Sequence, residues 1–358
     1  MKNILIVTGG TGGHVIPCLS IYEHLKDNCN VQIVTDERGS KFINKNNYKF
    51  TIIKVPNITK NIFKIPINII LFIISIFKSY FFLKKNNIMS IISSGGYMSF
   101  PYNFASYIQN INIILFEPNS VLGRSNKYFL PFSKKIISYD PNPKLFPKKY
   151  LHKIYHTKPI LKKIFYEKKN KLKNEILENK KILILGGSQG AKFFDEEIFK
   201  LITQISKKVK IEICQQVSDP NNIHVLKEKY KNLNIKHRIF DFDNNIYNEY
   251  LNSDMAISRS GASTLSELSF FNIPFIAVPF PHAKDNHQFF NAEFYEKKQC
   301  CWIIKQEDFN ISRVSEKIIM LIQQENEISK KRQHLKEFSK ENTWNAVNKK
   351  LRELINEY

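Results

Sequence analysis

One pattern occurs twice in this chain: a short apolar strand leads into a glycine-rich turn, and the turn opens a helix. The first copy is residues 3–8 followed by Gly-Gly-Thr-Gly-Gly-His at 9–14, and the second is residues 181–185 followed by Gly-Gly-Ser-Gln-Gly-Ala at 186–191. This order is typical of nucleotide-binding α/β folds, in which a ligand approaches the backbone of the turn closely. Because further buried strands follow each copy, the sequence predicts two Rossmann-like α/β domains that face each other across a cleft.

The chain has 358 residues, a length that suits two domains of ordinary size. We place an N-terminal domain at residues 1–158 and a C-terminal domain at 159–358, whose last helix is a candidate for packing back on the first domain. The strands expected after each glycine turn lie near 31–35, 51–55, 90–94, 111–116 and 136–139 in the first domain, and near 211–214, 236–239, 254–258 and 273–278 in the second.

Cysteine usage indicates a reducing compartment. The five cysteines are odd in number and include no C-x-x-C pair, which argues against a disulfide framework and against a zinc site. The chain runs at once into a strand, so no signal peptide is expected. No Asp-x-Asp pair stands where it would suggest a metal site, and we expect neither a metal nor a cofactor.

The formal charge of +22 is unevenly distributed. Residues 134–181 contain 15 lysines and 4 acidic residues, an excess of 11 that is half of the total. This excess reflects either compositional drift on solvated faces or a preference for a polyanion or an anionic membrane surface. No helix-turn-helix, zinc-finger or RNP-type signature is present, so no nucleic-acid partner is expected.

Residues 62–83 form a strongly apolar stretch. The run from 65 to 77 is almost wholly apolar, and lysines follow at 78, 84 and 85. A membrane-spanning helix needs about 20 apolar residues, and this run is shorter and contains a proline and an asparagine. A span, a buried core helix and an interfacial helix are all considered, and the pattern favours the interfacial helix. The expected membrane-associating residues are Ile69, Phe72, Ile73, Ile76, Phe77 and Lys78.

The stretch from 254 to 292 has the features of a phosphate site. A strand at 254–258 leads through the turn 259–262 into a helix opening at Ser263, in which Thr264 and Glu267 have capping-box spacing. A helix N-terminus after a turn of small residues presents unpaired N–H groups to a diphosphate. Glu267, expected in the first turn, could accept hydrogen bonds from a ribose diol. The alternative is that Thr264 and Glu267 only cap the helix.

The two glycine turns, the run Arg-Ser-Gly-Ala-Ser-Thr-Leu-Ser-Glu at 259–267 and Asp-Asn-His-Gln at 285–288 together resemble the MurG family of bacterial glycosyltransferases. The resemblance covers essentially the whole chain. It implies the GT-B architecture and an inverting transfer of N-acetylglucosamine from UDP-GlcNAc to the C4 hydroxyl of the muramyl sugar of lipid I, which gives lipid II for peptidoglycan. It also implies a peripheral enzyme at the cytoplasmic face of the bacterial inner membrane, with an anionic membrane surface as a further partner.

The resemblance assigns substrate-binding roles residue by residue. The sugar is assigned to Thr11, Gly12, Gly13, Asn119 and Gln288, the diphosphate to Ser188, the uracil edge to the backbone near Asp243, and the phosphate and ribose to Ala262, Ser263, Thr264, Leu265, Ser266 and Glu267, with Glu267 on the ribose hydroxyls. The family usually carries an arginine at the position of Leu161, and Lys162 or Lys163 is a candidate substitute only as a point charge.

An inverting transfer needs a base for the acceptor hydroxyl and stabilisation of the departing UDP. His14 is the first candidate for the base because the unperturbed pKa of histidine is near neutrality; its alternative role is to bind donor phosphate or to shape the turn. Glu117 is the second candidate, and its alternative role is to hold the loop after its strand. The rival functions are another GT-B enzyme, such as a glycolipid synthase or a UDP-GlcNAc 2-epimerase, and a non-enzymatic basic protein.

Overall fold

The computed structural model describes residues 1–55, 65–169, 180–187, 193–243 and 245–357. The chain divides into two compact units: unit 1 comprises Met1–Lys163 and Thr343–Tyr358, and unit 2 comprises Ile164–Asn342. The division therefore falls five residues after the expected boundary at 158/159. The C-terminal segment, expected in the second domain, belongs to unit 1.

Unit 1 contains a parallel sheet. Its strands are β1 (Asn3–Val7), β2 (Asn30–Thr35), β3 (Phe50–Ile52), β4 (Ser90–Ser93), β5 (Asn112–Glu117), β6 (Lys135–Ser138) and β7 (Ile154–His156). Among the described residues of this unit these seven strands pair in the order β3-β2-β1-β4-β5-β6-β7. The sequence predicted no strand of this domain after the one near 136–139, and this was wrong, because β7 follows it. The three residues of β7 lie at the sheet edge and are not fully buried, so they lack the apolar run of a central strand.

The helices of unit 1 cover both faces of this sheet. Those described in the N-terminal part of the unit are α1 (Gly12–Leu25), α2 (Glu37–Ser40), α3 (Ile65–Lys85), α4 (Phe100–Ile108) and α5 (Arg124–Phe129). One apolar cluster joins α1 to the sheet, and a second joins α4 and the end of α3 to the opposite face. The strands β1, β4 and β5 are almost wholly buried, as expected for a parallel sheet with both faces covered.

Unit 2 repeats the arrangement. Its strands are β8 (Lys180–Leu185), β9 (Ile211–Gln216), β10 (Lys236–Phe240), β11 (Met255–Ser258), β12 (Phe275–Ala277) and β13 (Cys301–Ile303). Within the described part of unit 2 these six strands are parallel, in the order β10-β9-β8-β11-β12-β13. In both sheets the first strand of the unit lies between two others: β1 lies between β2 and β4, and β8 lies between β9 and β11. Loops diverge at such a switch point, which is where α/β sheets bind ligands.

The first helix of unit 2 begins at the boundary between the two units. The helices described in this unit are α6 (Lys163–Lys169), α7 (Phe199–Ser206), α8 (Asn222–Asn232), α9 (Tyr247–Leu251), α10 (Ala262–Phe270), α11 (His287–Glu296), α12 (Ile311–Gln323) and α13 (Glu325–Ser339). The last helix of the chain, α14 (Trp344–Asn356), belongs to unit 1.

Helix α14 packs on α1 through a buried histidine. The rings of His24 and Trp344 stack with their centroids 3.8 Å apart. Nε2 of His24 donates to the carbonyl of Leu161 at 3.2 Å, and the Asn348 amide, with its nitrogen toward Nδ1 of His24, accepts from Nε1 of Trp344 at 2.7 Å. Burial lowers the pKa of His24 to about 4, so the ring is neutral near pH 7.

Candidate functional site

The first glycine turn of unit 1 is held by a carboxylate that the sequence did not single out. Gly10 has a φ of 84°, a conformation that favours glycine, and its amide donates to Oδ1 of Asp36 at 2.8 Å. A Cβ on Gly9 would lie only 2.9 Å from the same oxygen. Asp36 also accepts from the amide of Gly39, so it connects the turn to the start of α2. Its only sequence signal was its position at the carboxyl end of that strand.

The residues predicted to contact the sugar stand at the start of α1. Thr11 is the N-cap residue of this helix, and Gly12 and Gly13 are its first two residues. The Thr11 side chain forms no capping hydrogen bond. A Cβ on Gly13 would meet only Thr11 Oγ1, at an ordinary 3.7 Å, so packing within the protein does not require a glycine there. The turn therefore presents backbone and a small polar side chain at the carboxyl edge of the sheet.

His14 is oriented by the neighbouring strand. Its Nδ1 lies 3.1 Å from the carbonyl oxygen of Ser94, the residue directly after β4. A carbonyl can only accept, so Nδ1 carries the proton and, in the neutral ring, Nε2 carries the lone pair. The side chain is partly buried. This is the tautomer that a general base acting through Nε2 requires.

Glu117 is buried at the end of β5, and its carboxylate organises the loop that follows. One oxygen, Oε1, accepts from the side chain of Asn119 at 2.9 Å and from its backbone amide at 3.3 Å. The other, Oε2, accepts from the amide of Gly123 at 2.7 Å and from the side chain of Asn126 at 3.0 Å. Four donors match the acceptor capacity of a carboxylate. Burial nevertheless raises the pKa of Glu117. This geometry favours the loop-holding role over the role of base.

Helix α10 begins earlier than predicted. Its N-cap is Gly261 and its first residue is Ala262, with no side-chain cap, so the capping box of Thr264 and Glu267 was wrong. Thr264 is the third residue of the helix and Glu267 the sixth, which places Glu267 in the second turn rather than the first. The physical reason is that the glycine supplies the extended N-cap conformation by itself, with a φ of −66° and a ψ of 138°.

The start of α10 presents unpaired donors. Among the described residues no hydrogen bond reaches the backbone amides of 262–264. The buried hydroxyl oxygens of Ser258, Ser260 and Ser263 also have no partner within the described part of the chain. Leu265 and Ser266 are buried and anchor the helix to the core. Uncapped amides together with the positive end of the helix dipole favour an anion.

Glu267 projects from α10 toward a buried tyrosine. The hydroxyl of Tyr250 in α9 donates to Oε2 of Glu267 at 2.6 Å. Tyr250 is held by ring contacts with Phe165 and Phe271, at centroid distances of 6.1 and 5.2 Å. The bond fixes one oxygen of a partly buried carboxylate. Sequence reasoning missed Tyr250, since no short spacing connects it to the motif.

Gln288 in α11 is tethered to the same turn. Its Oε1 accepts from the amide of Ser260 at 3.2 Å and from that of Phe280 at 3.0 Å. An amide oxygen used in this way leaves the Nε2 hydrogens as donors, and no described residue accepts from them. The predicted sugar-binding residue is therefore fixed at the mouth of the β11–α10 turn, three positions before Asn291, which donates to the carbonyl of Ser260 at 3.0 Å.

Two further predicted contacts concern the loops of unit 2. Asp243 follows β10; its carboxylate pairs with Arg238 at 2.8 Å and accepts from the amide of Asn245 at 2.7 Å, which fixes the backbone beside it. Ser188, assigned to the diphosphate, lies outside the described residues.

The position of the usual family arginine cannot supply a charge to a ligand here. Leu161 is buried in unit 1, and its carbonyl accepts from His24. Of its lysine neighbours, Lys163 donates its backbone amide to Glu23 at 2.7 Å, and its Nζ lies 6.0 Å from the centre of the Trp344 ring.

Helix α3 exposes an apolar face. By length and composition alone, residues 66–85 of this helix could cross a membrane, and α3 is the one described helix of which this is true. Little of that stretch is buried in the protein. Ser75, Ser79 and Leu83 face the protein, whereas Phe77 is 59% exposed and Lys78 is exposed beside it. Of the other predicted membrane-associating residues, Ile69 and Ile73 are exposed, and Phe72 and Ile76 are half-buried. The core-helix alternative was therefore wrong for this face.

The described residues contain no group of three His, Cys, Asp or Glu side chains that could hold a metal ion.

Comparison with known proteins gives matches along most of the chain. Residues 4–138 match the glycosyltransferase family 28 N-terminal domain, and residues 181–345 match the glycosyltransferase family 28 C-terminal domain.

Two relatives are similar over almost their full length. A protein of Pelagibacter ubique named UDP-N-acetylglucosamine--N-acetylmuramyl-(pentapeptide) pyrophosphoryl-undecaprenol N-acetylglucosamine transferase is 44% identical, over 99% of this chain and 99% of its own. A protein of Rickettsia bellii with the same name is 36% identical, over 90% of this chain and 91% of its own. The crystal structure of Acinetobacter baumannii MurG is similar in fold, with a TM-score of 0.77 and 20% identity over 100% of both chains.

Proposed function

This chain belongs to glycosyltransferase family 28, and from that membership we propose that it transfers N-acetylglucosamine from UDP-GlcNAc to the C4 hydroxyl of the muramyl sugar of lipid I. The transfer inverts the anomeric centre and yields lipid II for peptidoglycan. Relatives covering 99% and 90% of the chain carry a name that states this donor sugar and this class of acceptor.

The observation that carries the proposal is the start of α10. Three backbone amides without acceptors among the described residues meet the positive end of a helix dipole, as a nucleoside diphosphate requires. Glu267, fixed by Tyr250, is placed one helical turn further on, where it can accept hydrogen bonds from a ribose. Gln288 offers amide donors at the same turn to the sugar. We assign the phosphate and ribose contacts to residues 262–267 and the uracil contact to the backbone near Asp243.

For unit 1 we propose the residues of the transfer chemistry. His14 takes the proton of the acceptor hydroxyl through Nε2, with Ser94 holding the reactive tautomer. Glu117 positions the loop that carries Asn119, which together with Thr11, Gly12 and Gly13 is a proposed sugar contact. Amide hydrogens and a helix dipole stabilise the departing UDP, so no metal or other cofactor takes part.

We also propose that α3 lies in the interface of an anionic membrane, at the cytoplasmic face of the inner membrane. Its apolar face is exposed, and Lys78, Lys84 and Lys85 are exposed near it, at the level expected for lipid headgroups. A full span does not suit a helix between β3 and β4, because both strands belong to one sheet. Lipid I, the acceptor, is itself a membrane lipid.

The test is a transfer assay with labelled UDP-GlcNAc and a lipid I analogue with a shortened lipid chain. We expect a lipid II analogue with an inverted anomeric centre, much slower turnover with UDP-glucose, and unchanged turnover in EDTA. The matched control is His14→Ala, which should bind UDP normally but transfer slowly. Formation of UDP-ManNAc without acceptor would instead identify an epimerase. DNA binding without affinity for UDP would identify a non-enzymatic basic protein and refute the proposal.

A further inference from the structure

The turn before α10 contains a buried arginine. Arg259 is only 4% exposed, and it lies at the carboxyl edge of the sheet of unit 2, directly after β11. Its backbone amide donates to the carbonyl of Leu185, the last residue of β8, at 2.9 Å. Its guanidinium donates to the carbonyls of Val278 and Pro279, directly beyond β12, at 3.1 and 3.2 Å. The residue therefore connects the ends of three neighbouring strands, to β8 through its backbone amide and to the end of β12 through its side chain.

The charge of this guanidinium is not neutralised nearby. No described carboxylate forms an ion pair with Arg259, and its remaining hydrogen bond, at 2.5 Å, goes to the neutral side chain of Gln306. Three phenylalanine rings surround it, with Cζ of Arg259 5.0 to 5.5 Å from the centroids of Phe193, Phe194 and Phe280. The buried Nε has no partner in the described part of the chain.

A buried cation in this position lowers the stability of the fold. A buried charge loses its hydration, and carbonyls and aromatic faces only partly replace it. Burial lowers the pKa of Arg259 to about 10, which still leaves the guanidinium protonated near pH 7. Bonds to carbonyls such as those of Val278 and Pro279 need only N–H donors, which neutral groups also provide. A role in holding the loops therefore does not explain why the side chain is charged.

We propose that Arg259 is a positioning residue whose buried charge strengthens the binding of the donor diphosphate at the start of α10. Only Ser260 and Gly261 separate it from Ala262, the first residue of that helix, and a low-polarity surrounding transmits its field with little screening. The inference rests on the proposed function, because the ligand is the nucleoside diphosphate assigned to α10.

The test measures affinity for uridine, UMP and UDP, whose negative charge increases in that order. Arg259→Gln removes the charge and keeps an N–H donor group, on a shorter side chain. Gln306→Glu leaves the arginine in place and sets a carboxylate beside it, which lowers the local charge by the same amount. Lys305→Met is the control, since it removes one cation from a neighbouring residue that is exposed to solvent. Binding is measured by calorimetry at low ionic strength, and folding by circular dichroism.

We expect Arg259→Gln and Gln306→Glu each to weaken UDP by about tenfold, UMP by less, and uridine by less than about twofold. Lys305→Met should leave all three affinities within about twofold. Equal losses for uridine, UMP and UDP would overturn the inference and leave only a structural role. If Arg259→Gln fails to fold, Gln306→Glu decides, and unchanged UDP affinity in that variant overturns the inference. An unmutated protein that binds no UDP would overturn the proposed function and this inference together.

Discussion

The hydroxyl of Tyr250 donates to Oε2 of Glu267 at 2.6 Å, and this bond connects α9 to the second turn of α10. It gives the carboxylate a fixed orientation. A ribose diol would therefore meet an acceptor that is already ordered, at a smaller cost in side-chain entropy.

Glu267→Ala should raise the KM for UDP-GlcNAc at least about tenfold, because a hydrogen bond to a charged group is lost. Tyr250→Phe should raise it by only about threefold, since the carboxylate remains but is less well ordered. A donor that lacks the ribose 2′- and 3′-hydroxyls provides the control. With this donor, Glu267→Ala should no longer raise the KM. An increase in KM as large as that seen with UDP-GlcNAc would exclude the ribose contact.

His14→Ala should lower kcat by about 10² to 10⁴ with little change in the donor KM, because it removes a general base and not a binding contact. The acidic limb of the kcat–pH profile should disappear with it. Glu117→Gln is the comparison variant: an amide nitrogen would face two N–H donors, so this variant should lose stability while the acidic limb persists. If Glu117→Gln removed the limb and His14→Ala kept it, the two roles would have to be exchanged.

Charge reversal at Lys78, Lys84 and Lys85 should weaken binding to vesicles that contain anionic phospholipid, and the loss should grow as ionic strength falls. Turnover of a soluble acceptor analogue should be unaffected, because these lysines lie on the exposed side of α3. Reversal of three exposed lysines of α8, at 227, 229 and 231, changes the net charge equally and should leave vesicle binding intact. Equal losses in both variants would indicate a general charge effect and refute the interfacial helix.

The stability of unit 1 should depend on pH through His24. The pKa of this ring is lowered from 6.5 to about 4 in the fold, so below about pH 6.5 the unfolded chain binds the proton more readily. The stabilisation from neutral His24 is fully present above pH 6.5 and is lost as the pH falls toward 4, by about 3 kcal/mol at most.

This pH dependence can be followed by the fluorescence of Trp344, which stacks on His24, in a Trp302→Phe background. Urea unfolding at pH 7.5 and pH 5 should show the loss, and His24→Gln should reduce the difference between the two pH values. His224→Gln, an exposed histidine on α8, should leave the difference unchanged. A difference that survives His24→Gln would assign the pH dependence to other groups.

The amino-acid sequence by itself determined the α/β class, the two glycine-turn units and the edge of each sheet where the site residues stand. Those features depend on local patterns, since apolar runs give buried parallel strands and glycines give the turns that follow them. The family resemblance came from the same local motifs.

Only the tertiary structure decided which side chains act together. Tyr250 with Glu267, Ser94 with His14, and Gln306 with Arg259 are pairs from separate elements, and no spacing along the chain connects them. The short edge strand β7 and the return of α14 to unit 1 were also settled by packing. A contact between distant segments forms only where the folded sheet places their loops side by side. Short motifs along the chain do not specify that placement.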